Sequence, residues 1–331
     1  MSRGARWVLV ALGILIFRLG LAGTLIRRSR QGLRVLLYHS VAPRTAPFTE
    51  DLDQPIPVAD FERHLKFITR YYHPVTLSEV EAGVVPQNAV LVTFDDGYRS
   101  LHMHARAPLR AHRISPTVFL IGKTVGNAEM AWTHELAWAL HRQPTVVREI
   151  LEEECPGATD VSMRALLHRL WSTLSAADIT RILGRVRTEI GYDPSHVARA
   201  ERLYLDWPEV ARLEGDGWVF GSHTARHFSL AGMSVEDQEQ EIRQGIELIS
   251  AEIRPAAAFA YPFGEHDENA RAAAIRAGAR CIMQVGGVNP RPIDLTRLAR
   301  VPVQGVSTTA ELFAEIEVVA PLKAWIRRVL R

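Results

Sequence analysis

Val90-Leu-Val-Thr-Phe-Asp-Asp-Gly-Tyr98 is the stretch from which the rest of the chain is read. Its first five residues, Val90 to Phe94, are apolar or β-branched and have the length and composition of a buried strand. The run stops at two adjacent carboxylates, Asp95 and Asp96, followed by Gly97. Like charges this close resist joint ionisation unless something positive neutralises them, and a bound cation would do so. Strand ends are also where α/β folds place their chemistry. An Asp-Asp-Gly turn on a surface hairpin would use the same residues, because Asp-Gly is a common turn dipeptide.

A second stretch, Trp218-Val-Phe-Gly-Ser-His-Thr-Ala-Arg-His-Phe-Ser-Leu230, separates these readings. His223 and His227 stand four apart, which predicts both imidazoles on one face of a helical turn. They too follow an apolar, strand-like run. With thirteen histidines in the chain, such a pair says little alone. Beside Asp95 and Asp96 in the same strand-end setting, it completes a two-histidine-plus-carboxylate metal set with open positions.

Thr93-Phe-Asp-Asp-Gly97, Ser222-His-Thr-Ala-Arg-His227 and Tyr261-Pro-Phe-Gly264, in this order, resemble the first three motifs of the polysaccharide deacetylase family, carbohydrate esterase family four. The resemblance covers roughly residues 33–303, and Val35-Leu-Leu-Tyr-His-Ser-Val41 resembles the first strand of the subgroup that deacetylates exopolysaccharides. It implies an α/β fold, a distorted and incomplete (β/α)7 barrel. It also implies a metal-dependent hydrolase that removes N-acetyl groups from a glycan, an exopolysaccharide or a lipid-linked sugar. The resemblance assigns Asp96, His223 and His227 as metal ligands and Asp95 as general base. Tyr261, Pro262, Phe263 and Gly264 become substrate and oxyanion contacts, with the backbone N–H near Phe263 on the oxyanion. Zinc suits such a ligand set, and cobalt or nickel also fit it.

Two departures from the family pattern stand out. The third motif lacks the arginine that orients the base, reading Phe259-Ala-Tyr-Pro-Phe-Gly264. The late histidine used as general acid is also missing: none follows His266, and the matching strand is Leu298-Ala-Arg-Val-Pro-Val303. His39, at the tip of the first strand, is the candidate acid, with His266 in reserve. Arg300 can supply charge but not a proton. An O-acetyl esterase, a small cyclic-amide hydrolase or a non-catalytic carbohydrate-binding relative stays open on the same fold.

Farther out, 331 residues with 47% hydrophobic content provide for a sizeable core. A net charge of +2 without a basic, aromatic-interleaved patch argues against a nucleic-acid partner. Cys155 and Cys281 match no metal or redox spacing and exclude a disulfide framework. Strand-like runs at 34–40, 90–94, 115–121, 217–222, 256–261, 280–284 and 298–303 alternate with helical stretches, which predicts parallel strands with crossover helices. The rhythm stops over about 124–205, a helical insertion after the third strand. Its Trp132-Thr-His-Glu135 either lines a substrate groove or packs. Asp60 is expected to open one helix, and Ser78 to cap another with Glu81 three residues on. The organisation is an apolar segment 1–32, a barrel 33–310 and a tail 311–331.

Residues 7–26 are apolar over about the length of a membrane span, but Arg18 interrupts them. Their Leu, Ile, Val and Phe residues contribute on the order of 4–7 kcal/mol to insertion, against roughly 3 for the arginine. A span, a cleaved signal peptide and a helix lying in the interface with Arg18 snorkelling are the three expectations. Arg27, Arg28, Arg30 and Arg34 outnumber Arg3 and Arg6, so a span would keep the body on the cytoplasmic side of a bacterial-type inner membrane; export is the alternative. Residues 322–331 read as a basic amphipathic tail suited to an anionic membrane surface, or as a helix packed on the domain. The expected partners are an N-acetylated glycan or glycolipid and a membrane surface.

Overall fold

A computed structural model describes residues 3–29, 32–46, 48–49, 52, 54–157, 161–303 and 305–329. Arg30 and the tail residues Leu330 and Arg331 lie outside these. Eight strands form one sheet: β1 Leu33–Tyr38, β2 His73–Pro74, β3 Ala89–Phe94, β4 Thr117–Leu120, β5 Val219–Ser222, β6 Ala258–Ala260, β7 Cys281–Val285 and β8 Leu298–Pro302. All pair in parallel in the order β1-β8-β7-β6-β5-β4-β3-β2. β1 also pairs with β3, Val35 opposite Leu91 and Tyr38 opposite Phe94, so seven strands close a barrel and β2 hangs outside on β3. The seven anticipated strands are all present. β2 has only two residues, His and Pro, too short for any periodic signal.

Side chains alternate along each strand, and the alternation sorts the core. Leu33, Val35, Leu91, Phe119, Met283 and Leu298 share one cluster inside the barrel. Leu36, Tyr38, Val90, Val92, Phe94 and Val301 belong to another, between the barrel and its helices. Carried two and four residues on, the inward set of β3 continues through Thr93 to Asp95, and that of β8 through Arg300. Both functional positions therefore follow from the pleat.

Local signals shift by a few residues from expectation. The first crossover helix runs Val58–Tyr71, starting two residues before Asp60. The next, Leu77–Glu81, is capped by Thr76 with Glu79 in a reciprocal capping box, not by Ser78 with Glu81. Between β4 and β5 the described residues form six α-helices: Trp132–Arg142, Pro144–Glu154, Met163–Thr173, Ala176–Ile190 and Pro194–Glu201 in the insertion, then Trp207–Gly215 leading into β5. Ala198 of Pro194–Glu201 packs with the main core, whereas the first four helices share a core of their own that includes Leu140, Val147, Ile150, Leu167 and Ile182. Glu135 is buried there, held by Arg187 at 2.7 Å through both oxygens and by the Tyr192 hydroxyl at 2.8 Å. Cys155 and Cys281 are free and buried.

The N-terminal apolar stretch is broken. Helix Arg3–Arg18 ends at Gly20, whose φ of +74° closes the turn with Gly20 N–H donating to Phe17 O and Leu21 N–H to Ile16 O. The following helix, Ala22–Arg28, departs at 108°, and among the described residues no single helix is long and apolar enough to cross a membrane. Gly20 thus divides the stretch 7–26 into two helices, which pass for a membrane span by length and composition only as a bent pair.

At the start of β1, Arg34 points out of the barrel to Glu317, Nε to Oε1 at 2.6 Å with both groups buried. The Tyr72 hydroxyl donates to the same oxygen at 3.0 Å. This contact ties the C-terminal segment to the first strand. Glu317→Ala would leave a buried guanidinium uncompensated and is expected to cost about 3–5 kcal/mol, read as a lower denaturant midpoint. The paired change Arg34→Met with Glu317→Leu should recover most of that loss. A single variant as stable as the parent would deny the tie.

Candidate active site and metal centre

Loops leaving the C-terminal ends of β3, β5 and β6 meet over the barrel mouth. Asp95, inward by strand parity, meets Arg300 from β8 in a two-pronged contact: Nη1 to Oδ1 at 2.6 Å and Nη2 to Oδ2 at 2.8 Å. Both side chains are buried, and the guanidinium lies over the Phe119 ring. Burial would raise the Asp95 pKa, but Arg300, and then His223, hold it below the ordinary carboxylate value. Arg300 thus supplies beside Asp95 the guanidinium that the third motif lacks. Its signal in the sequence is one arginine inside the otherwise apolar run Leu298-Ala-Arg-Val-Pro-Val303, 205 residues from its partner.

Asp96 turns the other way because its backbone is left-handed, φ +69°, as is that of Gly97, φ +68°. Its Oδ1 lies 3.6 Å from His223 Nε2 and 3.4 Å from His227 Nε2. All three residues are buried, and one donor atom from each falls within 4.8 Å of the others. Ligand atoms placed tetrahedrally at about 2.0–2.2 Å from an ion stand about 3.3–3.6 Å apart, so the two spacings at Asp96 suit a cation.

The histidines are not on a helix. His223 to Phe228 is loop, with Thr224 at φ +68° and His227 at φ +66°. The His227 N–H donates to Thr224 Oγ1 at 3.0 Å and closes the turn. This corrects the helical-turn expectation: two left-handed residues bring positions four apart together, with ring centroids at 4.9 Å. The loop is clamped from the helix Val235–Ser250. There Glu241 accepts from the Arg226 backbone N–H at 2.5 Å and from Arg226 Nε at 2.9 Å. Gly245 lets the loop come close; a Cβ there would stand 2.5 Å from the Thr224 carbonyl carbon.

Protonation suits ligation. His223 Nδ1 lies 2.8 Å from the Ala260 carbonyl, which can only accept, so Nδ1 carries the proton and Nε2 offers its lone pair to the site. Burial pushes the His223 imidazole down to about 4 and that of His227 well below its usual value. Both are neutral, as a metal requires. Two neutral imidazoles and a carboxylate, buried and converging, fit a divalent cation.

The remaining expected residues divide. Phe263, at φ +59°, sets its ring between His227 and Trp171, with centroids at 4.7 and 4.0 Å. Tyr261 instead packs with Ile242, Phe259 and Ala270 behind the sheet, stacked on His266. His266 therefore lies against Tyr261, not the histidine pair. His39 is half-buried at the end of β1, near enough that its protonated form would act on Asp95, His134, His223 and His227. From the insertion, Trp132 Nε1 donates to the His227 carbonyl at 3.0 Å. His134 sits buried between the hydroxyls of Tyr98 at 2.5 Å and Tyr204 at 2.6 Å. Trp132, His134 and Glu135 are thus packing that supports the site.

The chain is expected to bind about one divalent ion, as two-histidine, one-carboxylate sites do. His223→Ala or His227→Ala should abolish retention on dialysis, measured by elemental analysis. Gly245→Ala should weaken retention by about 10–100-fold, the usual effect of disturbing the surroundings of a ligand, although it touches no ligand. Equal retention in all three would sink the centre.

Residues 82–282, more than half of the chain, match the polysaccharide deacetylase family. A Bacillus subtilis (strain 168) protein named "Putative polysaccharide deacetylase YxkH" is 29% identical over 102 residues, which is 29% of this chain and 34% of that protein. The chain thus spans about a third of that relative's length. Among solved structures, the Streptococcus pyogenes deacetylase PplD in complex with acetate superposes with a TM-score of 0.58 at 15% identity, covering 87% of this chain and 99% of that one. IcaB from Ammonifex degensii gives 0.57 at 19% identity, covering 86% and 97%. At these identities the two structures speak for the fold, while the match over residues 82–282 speaks for descent: the chain belongs to the polysaccharide deacetylase family.

Proposed function

We propose that the protein hydrolyses N-acetyl groups from a glycan, an exopolysaccharide or a lipid-linked sugar, with Asp95 as the general base. The observation that carries this reading is the Arg300 clamp. It keeps a buried carboxylate ionised 3.7 Å from His223 Nε2 while Asp96 alone joins the histidines as a donor.

Amide hydrolysis requires a deprotonated water, a polarised carbonyl and a protonated leaving amine. A divalent cation held by Asp96, His223 and His227, with zinc first and cobalt or nickel as alternatives, would supply Lewis acidity for the first two, bringing a water's pKa toward about 7. Asp95 accepts the water's proton. Its two-point contact with Arg300 removes the freedom to rotate away, so orientation is set before substrate arrives. The Phe263 N–H, presented by a left-handed backbone next to His227, is the donor assigned to the developing oxyanion. His39, at the mouth and open to solvent on one side, delivers the proton to the amine. Arg300 positions the base but gives up no proton.

The test is acetate release from N-acetylated glucosamine oligomers, run beside O-acetylated sugars and a small cyclic amide. Asp95→Asn keeps an acceptor for Arg300 and should retain its metal, yet lose about 10²–10⁴-fold in rate. Full activity in that variant would contradict the base. Metal-loaded protein that releases no acetate from any N-acetylated glycan would contradict the reaction.

A further inference from the structure

We propose that the outward faces of the terminal helices dock on an anionic lipid bilayer, so that the protein lies on the membrane without crossing it. This stands apart from the reaction and rests on three observations. The first is an uncovered face. Helix Arg3–Arg18 is apolar almost all round, a composition that ordinarily means burial on every side. One face is buried: Val10 packs with Ala314 and Val319, a Cβ at Gly13 would strike Ala314, and Phe17 meets Phe67 and Phe313. The other face, with Trp7, Val8, Leu12 and Leu15, is open to solvent, Trp7 by 69%.

Charge is the second. Residues 1–30 and 318–331 hold ten of the 39 lysines and arginines and none of the 37 acids. The residues between carry 29 bases against 37 acids, so a net acidic body has cationic, apolar ends. Arg18, one turn past Leu15 on the same helix, is exposed, as are Arg27 and Arg28 on the next. Helix Ala320–Val329 continues from Val319, which packs on Val10, and exposes Trp325 and Val329. Tryptophan and arginine at the edge of an apolar face match the interfacial zone of a bilayer, and the charge selects anionic headgroups. A second copy docked through the same faces would set cation against cation.

Geometry is the third. The 16-residue helix rises about 24 Å, short of the roughly 30 Å hydrocarbon core. The Gly20 turn sends the next helix off at 108°, and Arg6 is anchored to Glu315 at 2.5 Å. Straightening this stretch across a bilayer would strip it from the domain.

The full chain should sediment with phosphatidylcholine vesicles containing phosphatidylglycerol and stay in solution with phosphatidylcholine alone. Salt that shortens the Debye length to about 3 Å should release it. At about fivefold per arginine, Arg18→Gln, Arg27→Gln and Arg28→Gln together should weaken binding about a hundredfold. Trp7→Ser with Leu15→Ser should also weaken it at unchanged melting temperature and metal content, because neither residue touches the metal-site side chains. The proposal fails if the chain ignores anionic vesicles or if binding is indifferent to these substitutions. It fails equally if alkaline carbonate cannot extract the protein, which would mean a span. A dimer dissolved by Trp7→Ser with Leu15→Ser would assign the face to a second copy.

Discussion

The Asp95–Arg300 pair is the contact on which the site depends. Removing a carboxylate and a guanidinium from water costs several kcal/mol each, and only close, two-point geometry repays it. The barrel provides that geometry because β3 and β8 flank β1 on either side and both send inward residues to its upper rim. With the clamp in place, two adjacent buried aspartates divide their duties. Asp95 is neutralised from within the protein, and Asp96 is left to face the histidines. Without Arg300, neighbouring carboxylates at this depth would compete for one ionisation.

Strain gathers where the donors converge. Of the eight non-glycine residues with positive φ among the described residues, Asp96, Thr224, His227 and Phe263 sit in the three loops that make the site. Each costs on the order of 1–3 kcal/mol and persists only because its surroundings leave no alternative. Those surroundings are specific: Glu241 holds Arg226, Gly245 admits Thr224, and Val285 crowds Gly264, where a Cβ would stand 2.6 Å away. The candidate ligand set is thus supported by residues outside it.

The helical insertion belongs to the same support. Trp132 braces the His227 carbonyl, Trp171 stacks on Phe263, and His134 is locked between two tyrosine hydroxyls. Burial pushes the His134 imidazole down to about 3, so it packs as a neutral hydrogen-bonding plate against the β3 loop through Tyr98. The insertion therefore forms one wall of the site while burying a core of its own.

What the chain's one-dimensional text determined is what local chemistry can write: apolar runs of strand length, acids and histidines at their ends, and helical periodicity over the insertion. Those signals sufficed for the seven barrel strands, the parallel topology and a set of two histidines with a carboxylate, while the choice of Asp96 over Asp95 came from the family resemblance. Contacts between distant residues decided the rest. Closure by β1 on β3, the partnership of Asp95 with an arginine 205 positions away and the looped geometry of the histidine pair exist only once the sheet has curled. The separation of Phe263 from Tyr261 and the break at Gly20 against the domain wall are of the same kind. The physical reason is range. Propensity and alternation act over a few residues, whereas burial of charge and left-handed backbone is tolerated only where the whole fold brings its compensation.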